Sequence, residues 1–346
     1  MRRRVPGDLA LTVGGLVLWD LLMALFNLGA RLWGVTGLLH VVGFFVLARA
    51  VERRVPPRAQ TLYERALTVI FPLLLLGGWE YVARAELINP QWFPPPSRIA
   101  GALWDLTVNY DQFTKTSLLG RPWLIPRAWV TEGWPGVVAL LAESHVLATL
   151  MRVFAGFALG AIPGLILGVI MGMSRLIRVV LDPIVSALYV LPKIAIFPLL
   201  MLIFPNPFGE GPKIAGVAIA AFFLVLVNTM VGVRDIDPVY LEAGRNYGAN
   251  RWQMFRHVII PGALPVIFAG LRLALGTALI VIVAIEFVRA KKGVGYLTLY
   301  YWEVLVTEKM YAGLLVVMAL GILLTSGLQW LERRLMPWHR EQVHRG

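Results

Sequence analysis

The chain has 346 residues, of which 58% are hydrophobic and only 15% charged, with a mean hydropathy of +0.72 and a formal net charge of +12. That balance excludes an ordinary water-soluble domain, and the absence of cysteine excludes a disulfide framework or a thiolate metal site. The positive charge flanks apolar runs, where it records orientation and contact with membrane lipid, so no nucleic-acid partner is expected.

A spanning helix needs about 20 mostly apolar residues at about 1.5 Å each. The first candidate, Leu9–Ala30, follows Arg2, Arg3 and Arg4 and holds Asp20. The internal acid and the missing small-x-small cleavage site mark it as a retained span rather than a signal peptide. Leu32–Ala48 is the second, and the basic, proline-containing linker "ARAVERRVPPRAQTLYER" follows it. Residues 1–60 therefore form an appended hairpin ahead of a main domain, 61–346. Ala66–Ala83, holding Glu80, is the third span. The next stretch, from about Arg84 to Ala142, is rich in tryptophan and proline, which suits an element lying at the headgroups. Beyond it come Val153–Ser174, Asp182–Phe204, Ile214–Val233, Pro265–Phe287 and Met310–Leu331. The expectation is an all-α polytopic membrane protein with six core spans and a two-helix hairpin. Placing the N-terminus inside puts the larger share of lysine and arginine on that side, so both termini are expected to be cytoplasmic.

Charge inside a span is a functional candidate, because placing it in lipid costs at least ~2.5 kcal/mol. Lys193, Arg272 and Glu286 are such charges, and Asn228 is a neutral polar group in a charge-free span. All four are pathway candidates. Snorkelling of Arg272, ion pairing of Glu286 and helix–helix hydrogen bonding of Asn228 are the structural alternatives. Pro192 and Pro198 are placed to break or kink the helix around Lys193. The five histidines, His40, His145, His257, His339 and His344, lie apart with no metal-ligand spacing, and no nucleophile elbow occurs. No G-x4-G-K-[ST] loop is present, so any ATP chemistry belongs to another chain.

One polar, glycine-broken segment, residues 234–264, sits between two apolar runs and contains "YLEAGRNYGANRWQMFRHVIIPGALP". Asp237-Pro238 reads as a helix start, with Glu242 near its positive end. Gly244 and Gly248 are expected to end that helix. A second short helix would put Trp252, Phe255 and Ile259 on one face, closed by Pro261 and Pro265. The predicted object is a helix-turn-helix elbow on the cytoplasmic side, with charged Glu242, Arg245, Arg251 and Arg256 around apolar Tyr247, Trp252 and Phe255.

The order Glu242-Ala243-Gly244, three residues, Gly248, nine residues, Val258-Ile259-Ile260-Pro261 resembles the E-A-A, x3, G, x9, I-x-L-P loop of permease subunits of binding-protein-dependent ABC importers. Glycine stands for the second alanine, valine for the first isoleucine and isoleucine for the leucine. The resemblance extends over roughly residues 66–335, through "PPPSRIAGALWDL", "ESHVLATLMRVFAGFALGAIPGLILG" and "AIEFVRAKKGVGYL", which are similar to the nitrate, sulfonate and taurine group. The hairpin and about 30 extra residues near 107–139 depart from it. The resemblance implies a transport subunit, not an enzyme, in the plasma (inner) membrane of a prokaryote. By the same resemblance its expected cargo is a small solute, anionic, such as nitrate, a sulfonate or taurine. It also implies a partner ABC ATPase that holds ATP and Mg, an extracytoplasmic solute-binding protein and a second permease copy in a homodimer. It makes the elbow a coupling helix that docks on the ATPase through Glu242, Ala243, Gly244, Arg245, Tyr247, Gly248, Trp252, Arg256 and Pro261. An ion-coupled secondary transporter or channel is the alternative, weakened by the absence of an internal inverted repeat.

Overall fold

A computed structural model describes residues 7–25, 29–111 and 115–339. Arg2, Arg3, Arg4, Arg340, Arg345 and His344 lie outside the described residues, as do 112–114 of the expected insert. The described residues are helical apart from short connections and isolated bridges, and they divide into two compact units, 1–102 and 103–346.

In the first unit, α1 (Gly7–Leu25) and α2 (Gly29–Glu52) form the expected hairpin. Asp20 survives in its apolar run because His40 of α2 approaches its carboxylate to 3.2 Å. Trp19 adds a second cross-hairpin bond, its Nε1 donating to Thr36 Oγ1 at 3.2 Å. α3 (Gln60–Arg84) follows the basic linker, which lies within this unit, and packs Phe71 against Phe44 and Phe45. The span charge Glu80 is satisfied locally. It accepts the Ser97 amide and hydroxyl at 2.9 and 2.7 Å at the start of α4 (Pro96–Val108), where a carboxylate suits a helix N-terminus.

The second unit is built on α6 (His145–Met173) and α9 (Glu210–Arg234). Gly156, Gly160, Gly164, Gly168 and Gly172 recur every fourth residue of α6 and face Ile214, Ala218, Phe222, Leu226 and Met230 of α9, spaced the same way. A Cβ at Gly160 would stand 2.1 Å from the Ala218 carbonyl oxygen, and at Gly168 2.7 Å from that of Leu226. The two backbones are therefore in contact, the arrangement small residues permit between helices in lipid. α12 (Ile260–Arg289) packs along α9, and Val217, Ala220, Ala278, Ile282 and Ile285 form a fully buried core between them. α13 (Val294–Glu303) and α14 (Thr307–Leu335) complete this side. The extra segment near 107–139 contains α5 (Ile125–Ala142), kinked at Gly133, with Trp123, Trp129 and Trp134 exposed.

One span expectation changes in shape. Among the described residues six helices are long and apolar enough to cross a membrane: Leu32–Glu52, Pro57–Arg84, His145–Met173, Glu210–Arg234, Arg251–Val288 and Thr307–Leu335. The expected first span, Leu9–Ala30, falls on α1, which is helical for 19 residues from Gly7 to Leu25, and its ends lie outside the described side chains. The stretch Asp182–Phe204 is not one rod. α7 (Arg175–Val190) and the following helical segment Lys193–Ile203, which includes α8 (Phe197–Ile203), meet at 91°. Pro192 forces Leu191 into an extended backbone, φ −57 and ψ 134, and so ends α7.

A buried ionic cluster closes the end of the second unit opposite the elbow. Glu286 of α12 is fully buried and meets Arg152 Nη1 of α6 at 2.7 Å. Thr149 Oγ1 donates to the same carboxylate at 2.9 Å, and the Gly295 amide donates at 2.9 Å. Arg152 turns its remaining donors to Glu210 of α9, at 2.5 and 2.9 Å, and to the Lys292 carbonyl at 2.7 Å. Gly293, at φ +128, lets the chain pass over Glu286, since a Cβ there would fall 2.2 Å from its carboxyl carbon.

The same added methyl separates packing from propensity. Gly160→Ala is expected to lower stability by about 3 kcal/mol or more through overpacking against backbone. Gly276→Ala, where a Cβ meets nothing within 4 Å, should gain up to about 1 kcal/mol from helix propensity. Thermal unfolding of the detergent-purified protein measures both, and equal shifts would contradict the backbone contact. In the ionic cluster, Arg152→Met strands the buried Glu286 carboxylate and should cost about 3–5 kcal/mol. Glu286→Gln, which retains hydrogen-bonding capacity toward Thr149 and Arg152, should cost less. Heating each variant and scoring the monodisperse fraction by size exclusion gives the order.

Candidate functional site

The elbow begins as the sequence predicts. Asp237 Oδ1 accepts the Val239 amide at 2.9 Å, and Pro238 opens α10 (Pro238–Asn246). Gly248, at φ +75, supplies the left-handed turn after it, with open space where a Cβ would stand. Asn250 then starts α11 (Arg251–Met254) through a reciprocal capping box with Gln253, at 2.8 and 2.9 Å.

Two details differ from expectation. Gly244 does not end a helix. It lies inside α10, and a Cβ there would press on Met254 Cε at 2.8 Å, so its smallness lets α10 lie against the second limb. Pro261 and Pro265 do not close the second limb either, because residues 251–289 are helical without interruption. A widened π turn at Phe255–Ile259, with the Ile260 amide donating to Phe255 O, directly precedes Pro261. It opens the backbone where the ring would otherwise strike the carbonyl four residues back. The second limb of the elbow is thus one piece with α12.

Its surface is aromatic and exposed. Tyr240, Tyr247 and Trp252 are 61%, 92% and 63% exposed. Trp252 lies 5.7 Å from the Phe255 ring, centroid to centroid. Glu242, Ala243, Arg245 and Arg256 are also exposed, and Gly244 and Pro261 are half-buried. Asp235 beside this surface is held below the usual carboxylate range by the hydrogen bond from Arg234.

The pathway candidates are scattered. Glu286 sits in the ionic cluster. Arg272 pairs with Glu332 and so ties α12 to α14. Asn228 Nδ2 donates to Leu224 O of its own helix at 2.8 Å, and its side chain lies against Gly270. Lys193 stands at the break between α7 and α8, bonded to Tyr189 O and 4.8 Å from the Tyr189 ring. Arg152, Glu210 and Lys213, which the span windows leave outside, are the residues that join Glu286. The signal for them was charge one turn or less beyond the ends of the apolar windows.

Among the described residues, this unit holds two cavities of note. One of about 530 Å³ is walled by Asp105, His145, Tyr296, Tyr300, Tyr301 and Lys309. There Lys309 pairs with Asp105 at 2.6 Å, and that bond holds the Asp105 carboxyl below its ordinary value. Burial pushes the Tyr301 phenol up to about 12, so it stays neutral at physiological pH. The other cavity, of about 720 Å³, opens beside the ionic cluster.

Residues 164–337, which include the elbow and Glu286, match the family described as binding-protein-dependent transport system inner membrane component. The taurine transport system permease protein TauC of Escherichia coli K12 is 32% identical over 268 residues, covering 78% of this chain and 88% of that protein. The nitrate import permease protein NrtB of Synechococcus elongatus is 29% identical over 207 residues, 57% of this chain and 71% of that one. A chain of the MetNI methionine ABC transporter, in an inward-facing crystal form, shares the fold with a TM-score of 0.50 at 21% identity, covering 61% of this chain and 96% of that chain. These likenesses set aside the secondary transporter or channel. The chain belongs to the inner-membrane components of binding-protein-dependent transport systems, and it is the permease subunit of an ABC importer whose ATP hydrolysis resides on a separate subunit.

Proposed function

We propose that residues 234–264 are the contact through which the ATPase drives this permease, and that the solute carried is a small anion of the sulfonate or nitrate type. The observation that carries the first part is the exposed aromatic surface of Tyr240, Tyr247 and Trp252 on an elbow capped at both limbs. Aromatic anchors rimmed by charge suit a protein partner. The elbow surrounds them with Glu242, Arg245 and Arg256. Gly244, Gly248 and Pro261 shape it, and Ala243 leaves room for close approach. The excess of lysine and arginine on the elbow's side supports a cytoplasmic elbow with both termini inside. A binding protein then delivers solute from outside, and two copies of the chain enclose the pathway. Lys193, Asn228, Arg272 and Glu286 act along it, Glu286 and Arg272 by holding helices in register. The names of TauC and NrtB support the solute class.

Purification from native membranes with mass spectrometry of the co-purifying chains tests the contact, and ATP-dependent uptake of taurine and nitrate tests the cargo. Gly248→Asn, compatible with a left-handed backbone, should retain the ATPase. Gly248→Val should deplete it while the permease remains folded. Trp252→Ala should weaken ATPase association about tenfold or more without changing permease stability. Undiminished association in both Gly248→Val and Trp252→Ala would move the contact elsewhere.

A further inference from the structure

The 720 Å³ cavity is walled by Arg152, Asn206, Phe208, Glu210, Lys213, Val288, Ala290, Lys291 and Lys292. Four of these side chains are cations. Glu210 on the wall and Glu286 behind Arg152 are the carboxylates that face them. Arg152 and Lys213 are buried, at 5% and 4% exposure. The Arg152 donors are consumed by Glu210, Glu286 and the Lys292 carbonyl. Lys213 is different: its ammonium has three N–H donors, and one reaches Glu210 Oε1 at 3.0 Å. Lys292 donates to the Ala142 carbonyl at 2.8 Å, and Lys291 stands exposed at the rim. A buried ammonium on the wall of a cavity where four cations face two carboxylates favours an anion in the adjoining space.

We infer that this cavity binds a monovalent oxyanion, with Lys213 as its buried anchor and Lys291 and Lys292 as the rim that draws the anion in. Resting on the anionic-solute reading above, it becomes the first station of the cargo on the permease. Three features favour this class. The cations come from three separate elements, Arg152 from α6, Lys213 from α9 and Lys291 and Lys292 from the segment after α12. Lysine ammonium groups suit a compact charge of several oxygens without demanding one planar geometry. The N-terminal end of α9, at Glu210, adds its positive dipole to the same space.

The test uses the full-length permease in phosphatidylcholine nanodiscs at low salt, titrated calorimetrically with sodium methanesulfonate and sodium nitrate. Saturable binding is expected, about tenfold weaker in Lys213→Gln and about threefold weaker in Lys291→Gln. Tetramethylammonium should not compete. Lys291 makes the test independent of folding, because it is exposed at the rim. Equal affinity in wild type and both variants overturns the site, as does absence of binding by wild type. Displacement of methanesulfonate by phosphatidylglycerol assigns the cavity to lipid headgroups and also overturns it. Transport separates the two readings. ATP-dependent taurine uptake with an unchanged KM in both variants removes the site and keeps the importer's cargo. Lys213-dependent binding of methanesulfonate without any uptake of anionic solute keeps the site and removes the cargo assignment.

Discussion

The second unit depends on the backbone contact between α6 and α9. In lipid, apolar side chains gain little by leaving one hydrocarbon surface for another, so helices associate through close packing and internal polar bonds. Five glycines at every fourth position of α6 remove the side chains that would hold the helices apart. The contact runs from Ile214 to Met230, most of the length of α9. α12 then joins the pair by the same means from the other side, with Gly216 against Ile285 and Gly232 against Val266. Because the glycines fix the approach, the polar groups at the end of the pair need no adjustment to meet. Arg152 of α6 reaches Glu210 of α9 and Glu286 of α12 together.

Composition and apolar windows were enough to read the class and most of the spans, because hydropathy reports directly on the lipid boundary. The windows failed where a helix extends past its apolar part. Cut at Val153 and Ile214 to stay free of charge, they left Arg152, Glu210 and Lys213 outside the spans. The helices in fact begin at His145 and Glu210, and those three charges are inside the folded ends. Glycine carries little weight in hydropathy, so the spacing of four in "GFALGAIPGLILGVIMG" is invisible to a window though present in the letters. Local chemistry was more legible. Asp237 and Gly248 do what their side chains dictate whatever surrounds them. Pro261 was misread because its effect depends on the five residues before it, whose π turn makes room for the ring. Pro192 has no such turn ahead of it and breaks its helix.

The elbow and the oxyanion cavity lie at opposite ends of the same two helices. α9, with 25 residues, separates them by roughly 37 Å at 1.5 Å per residue. α12 carries the second limb of the elbow at its start without a break in helix and carries Glu286, then Lys291 and Lys292, at and beyond its end. On the proposed reading, a displacement imposed on the second limb of the elbow reaches the far end through continuous helix, whereas the 91° bend between α7 and the Lys193–Ile203 segment offers no such path.

That division gives the coupling a physical form. On the proposed reading, the cavity is shared between a fixed part, Arg152 and Lys213 on the glycine-locked pair, and a part attached to α12, Lys291 and Lys292. Shifting α12 along the pair changes the spacing of the two sets of cations and so the affinity for an anion between them. Linkage makes the effect reciprocal: an anion that prefers one spacing biases α12, and with it the elbow, toward that position. The Arg152–Glu286 pair bears on this directly, since it joins the fixed part to the moving one across 2.7 Å of buried contact. Either the shift is small enough for that pair to survive, or the pair breaks, in which case an oxyanion in the cavity can take the place of the carboxylate on Arg152 while Glu286 keeps only the Thr149 hydroxyl and the Gly295 amide.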